Sequence, residues 1–336
     1  MNIFVTGGAG GIGSTLALKL TQNGHKVIAY DNLNNGYEEN LKENGEFFCQ
    51  FIKGDIRKPH QQLSDYFDYH NIDVVIHLAA ISSLPQCEID PHECIDVNVG
   101  GTVNILNAAR RKGIHVIVAS TSAIYENNDP KTAPFKEQDD VDPRLFYPLS
   151  KDLMEKTIQS FIFNYDMNIT TLRFFNVFGP RQDIHRKSPP LINYIVREIK
   201  NGRPLTFYSN GNHPRDYIHA DDVATMIEKV LPRTDSQVFN VCTGTLTSVS
   251  DIILYAKKAF GSFEYKFEAP AKYWSGYDEL HRGAKPIQSY VVENEVKKFS
   301  LGCIKKTEQL LEWKPNKDIE TLMIQTMKQN YELYTR

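Results

Sequence analysis

Thr6-Gly7-Gly8-Ala9-Gly10-Gly11-Ile12-Gly13 lies between two patterns of different period. Before it, Asn2-Ile3-Phe4-Val5 is a short apolar run of strand type. After it, residues 14–22 read as a helix. Gly7, Gly10 and Gly13 have the spacing G-x-x-G-x-x-G, with Gly11 and Ile12 between them. Such a loop permits a tight turn and lets the backbone approach a pyrophosphate. It also points the free N–H groups of a helix N-terminus at that anion. Glycines also simply make turns; the strand–loop–helix context is what makes this a dinucleotide-binding motif.

Working outward, short apolar runs recur at 2–6, 26–30, 47–52, 73–77, 115–119 and 169–174, with amphipathic stretches between them. One of these, 99–110, sets Val99, Val103 and Leu106 on a single helical face. Continuous apolar strands alternating with helices predict a parallel sheet covered on both sides, a doubly wound α/β plan of Rossmann type. Beyond about residue 177 prolines and glycines become frequent. A helix near 221–231 and a strand near 238–242 then resume the first style, and a helix near 318–333 ends the chain. The reading is a nucleotide-binding lobe, 1–176 plus 215–242, and a smaller α/β substrate lobe, 177–214 plus 243–336. A chain of 336 residues is long enough for two lobes.

The formal net charge is −3, with acids and bases interspersed, so no electrostatic footprint for nucleic acid or an anionic membrane is present. Five cysteines without a CxxC pair predict reduced thiols and neither a disulfide framework nor a metal site. The apolar runs are far shorter than the ~20 residues of a membrane span. With no leader pattern before the first strand, these features predict a soluble cytoplasmic protein.

The second strand ends in Asp31-Asn32-Leu33. An acid here can accept from both hydroxyls of an adenosine ribose and repels a 2′-phosphate, which favours NAD over NADP. Asp55 in Gly54-Asp55-Ile56 follows the third strand, where an adenine edge could be read. His77-Leu78-Ala79-Ala80 closes the fourth, its small residues letting the cofactor lie on the backbone, and His77 reads as a packed core histidine.

Tyr147 and Lys151, four apart at the start of a helical stretch, share one face. Moving a phenol from pKa ~10 to about 7 requires ~4 kcal/mol. One cation ~5 Å away supplies about 3 kcal/mol at an effective dielectric of ~20. Lys151 together with an oxidised nicotinamide would then hold Tyr147 as a phenolate base.

The glycine loop, Asp31-Asn32-Leu33, Asn98-Val99-Gly100-Gly101-Thr102, the hydroxyl triplet Ser120-Thr121-Ser122 and Tyr147-x3-Lys151 together resemble the extended short-chain dehydrogenase/reductases. Leu172-Arg173-Phe174-Phe175-Asn176-Val177-Phe178-Gly179-Pro180-Arg181-Gln182 and Arg215-Asp216-Tyr217-Ile218-His219 narrow this to the nucleotide-sugar epimerase/dehydratase branch, and most closely to its UDP-glucose/UDP-galactose 4-epimerase-like members.

The resemblance implies Thr121, Tyr147 and Lys151 as the catalytic set, with Thr121 bonded to the sugar O4. It implies NAD contacts from Asn32, Asn35, Ile56, Asn98 and Phe174 beside the glycine loop, Asp31, Asp55 and residues 78–80. It places Ser82, Ser122, Asn176, Leu191, Thr206 and Tyr208 against a nucleotide-diphosphate sugar, most often a UDP-sugar, with Arg215 and Arg282 clamping the diphosphate. Arg215-Asp216 also reads as an ordinary surface ion pair. Ile287, Gln288 or Ser289 falls where relatives size the sugar pocket. Glu126 stands where relatives usually carry glycine, which predicts a differently shaped loop. Homodimerisation through 100–111 and 150–163 is implied by the same family.

Relatives that dehydrate at C6 or decarboxylate at C5 usually carry an acid just after the catalytic threonine. This chain reads Thr121-Ser122-Ala123, and a methyl group cannot move a proton. The expected activity is therefore NAD-dependent 4-epimerisation of a UDP-hexose or UDP-hexuronate through a 4-keto intermediate. A dehydrogenase, decarboxylase or 4,6-dehydratase of the same family is the alternative. A non-catalytic dinucleotide-sensing scaffold would need neither Tyr147 nor Lys151.

Overall fold

The computed structural model describes residues 1–334. Seven strands form one parallel sheet: β1 (Asn2–Thr6), β2 (Lys26–Asp31), β3 (Gln50–Lys53), β4 (Val74–His77), β5 (His115–Thr121), β6 (Ile169–Phe174) and β7 (Gln237–Val241), in the order β7-β6-β5-β4-β1-β2-β3. The chain winds outward from β1 to β2 and β3, then returns to β4 on the other side of β1. The crevice beyond the carboxyl ends of β1 and β4 is the switch point where ligands bind in such sheets.

Side-chain alternation along each strand feeds two cores. On one face Ile3, Val5, Ile76 and Leu172 pack against Leu16 and Leu20 of α1 (Gly11–Gln22) and Ile227 of the helix Ala220–Val230. On the other, Phe4, Val75 and Val116 meet Leu63 and Phe67 of α2 (His60–Tyr69), Ile105 of α3 (Gly101–Arg110) and Met154 and Ile158 of α4 (Phe146–Tyr165). A third core gathers Ile192, Ile195 and Val196 of Leu191–Lys200, Ile252 of Val249–Phe260, and Met323 and Met327 of Ile319–Leu333.

Three details differ from the sequence reading. The third strand starts at Gln50, because Glu46–Phe47 instead pairs with Lys42–Glu43 in a small hairpin and Phe48 donates back to the Leu41 carbonyl. The helix expected from residue 99 begins at Gly101, after a π-turn over Asp96–Gly100 that turns Asn98 inward. Asp216 is fully buried and is no surface partner of Arg215. Its Oδ1 accepts from the Thr243 N–H and hydroxyl, and its Oδ2 from the Gly244 and Gly302 N–H groups, tying the end of β7 to residue 302. No helix among the described residues is long and apolar enough to cross a membrane.

Candidate active site

A cavity of about 730 Å³ opens at the switch point, within the range of small-molecule sites. Its floor is the glycine loop. Gly7 has φ +68°, and a Cβ there would stand 2.8 Å from the Ala79 nitrogen; one on Gly13 would stand 2.1 Å from the Gly7 oxygen. Loop and helix α1 are therefore in backbone contact, as a close-approach anion site requires. The α1 N-terminus has no side-chain cap and no acid in its first turn, so its free N–H groups and dipole are left for an external anion.

Asp31 stands on the cavity wall at the end of β2. Its Oδ1 accepts from the Leu33 N–H at 2.8 Å and its Oδ2 from the Ala9 N–H at 3.1 Å. These bonds fix the carboxylate while its remaining lone pairs stay available to a ribose diol. Asp55 is gripped by Arg57, which holds its carboxyl down at about 2. A dinucleotide fits this donor and acceptor set: uncapped helix end for pyrophosphate, Asp31 for ribose, Asp55 for an amine edge. No cluster of metal-ligating side chains occurs among the described residues.

His77 is a structural histidine. Burial pushes its pKa down to about 3, so the ring is neutral. The bonding roles then follow: Ala79 N–H to Thr6 Oγ1, Thr6 hydroxyl to His77 Nδ1, His77 Nε2–H to Thr102 Oγ1, and Thr102 hydroxyl to the Asn98 carbonyl. This relay fixes the backbone on which the cavity wall at 78–80 is built.

The reactive end is set by β5 and α4. Thr121 closes β5, where its Oγ1 accepts the Ala123 N–H at 3.1 Å. Tyr147 and Lys151 line the same cavity from the first turns of α4. Burial pushes the Tyr147 phenol up to about 12, opposed by the neighbouring Thr121 hydroxyl and by the positive charge of Arg186. The Lys151 Nζ donates to the Ala119 carbonyl at 2.9 Å, and burial lowers it to about 8. Among the charges acting on Tyr147 the cation is Arg186, a residue without a sequence signature. Without cofactor, Tyr147 is a neutral phenol at neutral pH.

Of the residues singled out from sequence, Gly7, Gly10, Gly11, Ile12, Gly13, Asp31, Asn32, Asn35, Asp55, Ile56, Leu78, Ala79, Ala80, Ser82, Thr121, Tyr147, Lys151 and Phe174 share this one cavity. Others stand off its wall. Asn98 is buried behind it, where its amide bridges Ile81 to Ser150 and so joins the β4 loop to α4. Ser122 is buried in the turn after β5. Asn176 donates to the Asp216 carbonyl and Ser300 hydroxyl. Leu191 and Thr206 belong to the third core and its small sheet, and Tyr208 packs against Tyr273 at 5.1 Å.

Arg215 is held by Glu295, through the carbonyl at 2.6 Å and the carboxylate at 3.4 Å. The same buried carboxylate lies 3.2 Å from Lys298, which faces Glu126 at 3.9 Å. Glu126 is thus part of an internal ion chain, and its Oε1 accepts the Arg144 and Leu145 N–H groups, shaping the loop that leads into α4. Arg282 is not brought to the cavity wall: its guanidinium is three-quarters exposed and pairs with Asp278 one turn earlier. Ile287 packs with Trp274 and Tyr277, while Gln288 and Ser289 face solvent. Sequence reasoning passed over Asp183 and Arg186, both on the wall, in a segment that read only as a loop rich in proline and glycine, and gave Gln182 no role beyond ending a family motif.

A Rossmann-type sheet with this cavity defines a nicotinamide-dinucleotide enzyme of the short-chain dehydrogenase/reductase type. The chain belongs to the NAD dependent epimerase/dehydratase family, whose model matches residues 3–242. It is similar to a putative UDP-glucose 4-epimerase of Methanocaldococcus jannaschii, at 32% identity over 318 residues that cover 95% of this chain and 94% of the relative. Among solved structures it resembles UDP-glucose 4-epimerase with UDP-glucose from Thermotoga maritima, at TM-score 0.86 and 27% identity, covering 99% of this chain and 100% of that one. The UDP-N-acetylglucosamine 4-epimerase of Methanobrevibacter ruminantium, in complex with UDP-N-acetylmuramic acid, superimposes at TM-score 0.84 and 27% identity over 99% of this chain and 98% of that one.

Proposed function

We propose that this protein is an NAD-dependent 4-epimerase of a UDP-sugar. The observation that carries this reading is that Thr121, Tyr147 and Lys151 line the same cavity as the glycine loop and Asp31, with Ala123 where a dehydrating relative carries an acid. Bound NAD supplies the hydride acceptor and, with the hydride returned, the donor. The chain's own residues hold the substrate and move one proton. The Ala123 N–H bond orients the Thr121 hydroxyl on the wall it shares with Tyr147, and both would meet the O4 hydroxyl of a bound sugar. Tyr147 accepts the O4 proton as C4 is oxidised and returns it when the 4-keto sugar, turned over in the site, is reduced on its other face. Bringing Tyr147 from about 12 to neutrality requires about 7 kcal/mol. Lys151, anchored on Ala119, lies on the same wall as Tyr147, where it would hold the cofactor and add its charge to that of an oxidised nicotinamide in favouring the phenolate. Arg215, once drawn from Glu295, would take the substrate diphosphate.

The test is conversion of UDP-glucose, UDP-N-acetylglucosamine and UDP-glucuronate by the protein as purified, with no NAD added, followed by proton NMR of C4 stereochemistry. A C4 epimer from at least one of them, without released NADH, is the expected result. A net 4-keto or 6-deoxy product would replace this reading by a dehydratase or dehydrogenase one.

The helix α4 leaves Leu153, Phe163 (90% exposed) and Tyr165 uncovered, which supports homodimerisation through α3 and α4. Light scattering should give twice the 38.4 kDa chain mass. All five cysteines are unpaired, which accords with a reducing, cytoplasmic setting.

A further inference from the structure

Arg186 is pinned through its backbone and left free at its charge. Its N–H donates to Asp183 Oδ1 at 3.2 Å, and its carbonyl accepts from Arg197 Nη1 at 2.9 Å. Its guanidinium makes no hydrogen bond, ion pair or ring contact among the described residues, and its Nε is buried without a partner. The neighbouring acid, Asp183, is already engaged: the same Oδ1 accepts the Tyr37 hydroxyl and the His185 N–H as well. Asp183 therefore acts on the guanidinium by charge alone, and a half-buried guanidinium whose donors make no hydrogen bond is an unfavourable arrangement unless a ligand supplies the acceptors.

The position of Arg186 narrows what that anion is. It lines the cavity with Thr121 and Tyr147, and also the recess beyond, walled by Ser83, Lys187, Ser188 and Tyr277 on its own side and by the acids Asp90, Glu93 and Glu279. Cofactor pyrophosphate belongs at the uncapped α1 N-terminus, and Arg215, once drawn from Glu295, would serve the substrate diphosphate. Thr121 and Tyr147 would fix the sugar at O4, and of the two groups flanking C4 in a hexose, the C3 hydroxyl and the C5 substituent, only the C5 substituent can carry a carboxylate. We propose that Arg186 is the specificity-determining residue of this site and that the preferred sugar carries a carboxylate on C5, so that the substrate is a nucleotide hexuronate. The planar guanidinium offers paired donors that match a carboxylate. This inference rests on the 4-epimerase reading.

The experiment compares kcat/KM for UDP-glucuronate and UDP-glucose in the NAD-loaded protein and in Arg186→Gln and Arg186→Lys, with melting temperature and NAD content as folding controls. The wild type should favour UDP-glucuronate at least about tenfold. Arg186→Gln should lose about 10- to 100-fold on UDP-glucuronate alone, and Arg186→Lys less. Equal losses on both substrates would assign Arg186 to the diphosphate and overturn the inference. A wild type that turns over UDP-glucose as well as UDP-glucuronate would overturn it even if the Gln variant failed to fold. In both of those cases 4-epimerisation itself is still observed; conversion of neither sugar would instead overturn the underlying reading, and this inference with it.

Discussion

Replacing Asp31 by asparagine separates the two tasks its carboxylate performs. The charge excludes a 2′-phosphate: at ~4 Å and an effective dielectric of ~20, one unit of like charge costs about 4 kcal/mol, roughly a thousandfold in affinity. Asp31→Asn removes that repulsion, so the NADP-to-NAD affinity ratio should rise by on the order of 10² to 10³. The geometry adds a second effect. Both carboxylate oxygens accept a backbone N–H, from Leu33 and from Ala9. An amide can satisfy only one, so its NH₂ must face the other donor. That loss is worth about 1.5–3 kcal/mol and should lower both absolute NAD affinity and the unfolding midpoint. Titration calorimetry of cofactor-stripped wild type and variant with NAD and NADP measures both effects. A variant that binds NAD more weakly yet keeps the wild-type preference would refute the placement of the ribose at Asp31.

Three further expectations follow from the same geometry. Tyr147→Phe should lower kcat by about 10²- to 10⁴-fold while cofactor content, read by absorbance after heat release, stays stoichiometric. Gly13→Ala sets a methyl group 2.1 Å from the Gly7 oxygen, so the loop must shift and purified protein should carry little NAD. Asp216 is raised to about 6 by burial. Because the folded value lies above the unfolded one, its contribution is fully present below pH ~4 and lost as pH rises through about 6, some ~3 kcal/mol in all. Urea denaturation of wild type and Asp216→Asn at pH 4.5 and 8 should show that share of the pH dependence vanish in the variant.

The glycine loop and the strand-ending acid were legible because their function is local: a turn, a helix end and a strand end occupy one short segment. The i and i+4 relation of Tyr147 and Lys151 was legible for the same reason. What the lysine touches was not, because the Ala119 carbonyl comes from a different strand. Arg215 and Asp216 are adjacent in sequence yet point to opposite partners, Glu295 and Thr243, separated from them by tens of residues. Arg282 shares its signature with a phosphate ligand but finds Asp278 one helical turn away. Arg186 carries no local signal at all. Its meaning comes from a buried Nε with no hydrogen-bond partner among the described residues, and only the packed structure shows which donors go unpaired.

The central claim is that one hydride leaves a sugar carbon and comes back to it within a single protein. The direct measurement is turnover of a UDP-sugar deuterated at C4 by the protein with its resident NAD, in ordinary water, followed by mass and proton spectra of the product. Deuterium retained at C4 in both epimers, with none in solvent, is the result the account predicts. Loss of the label to water, or its appearance at C6, would contradict it.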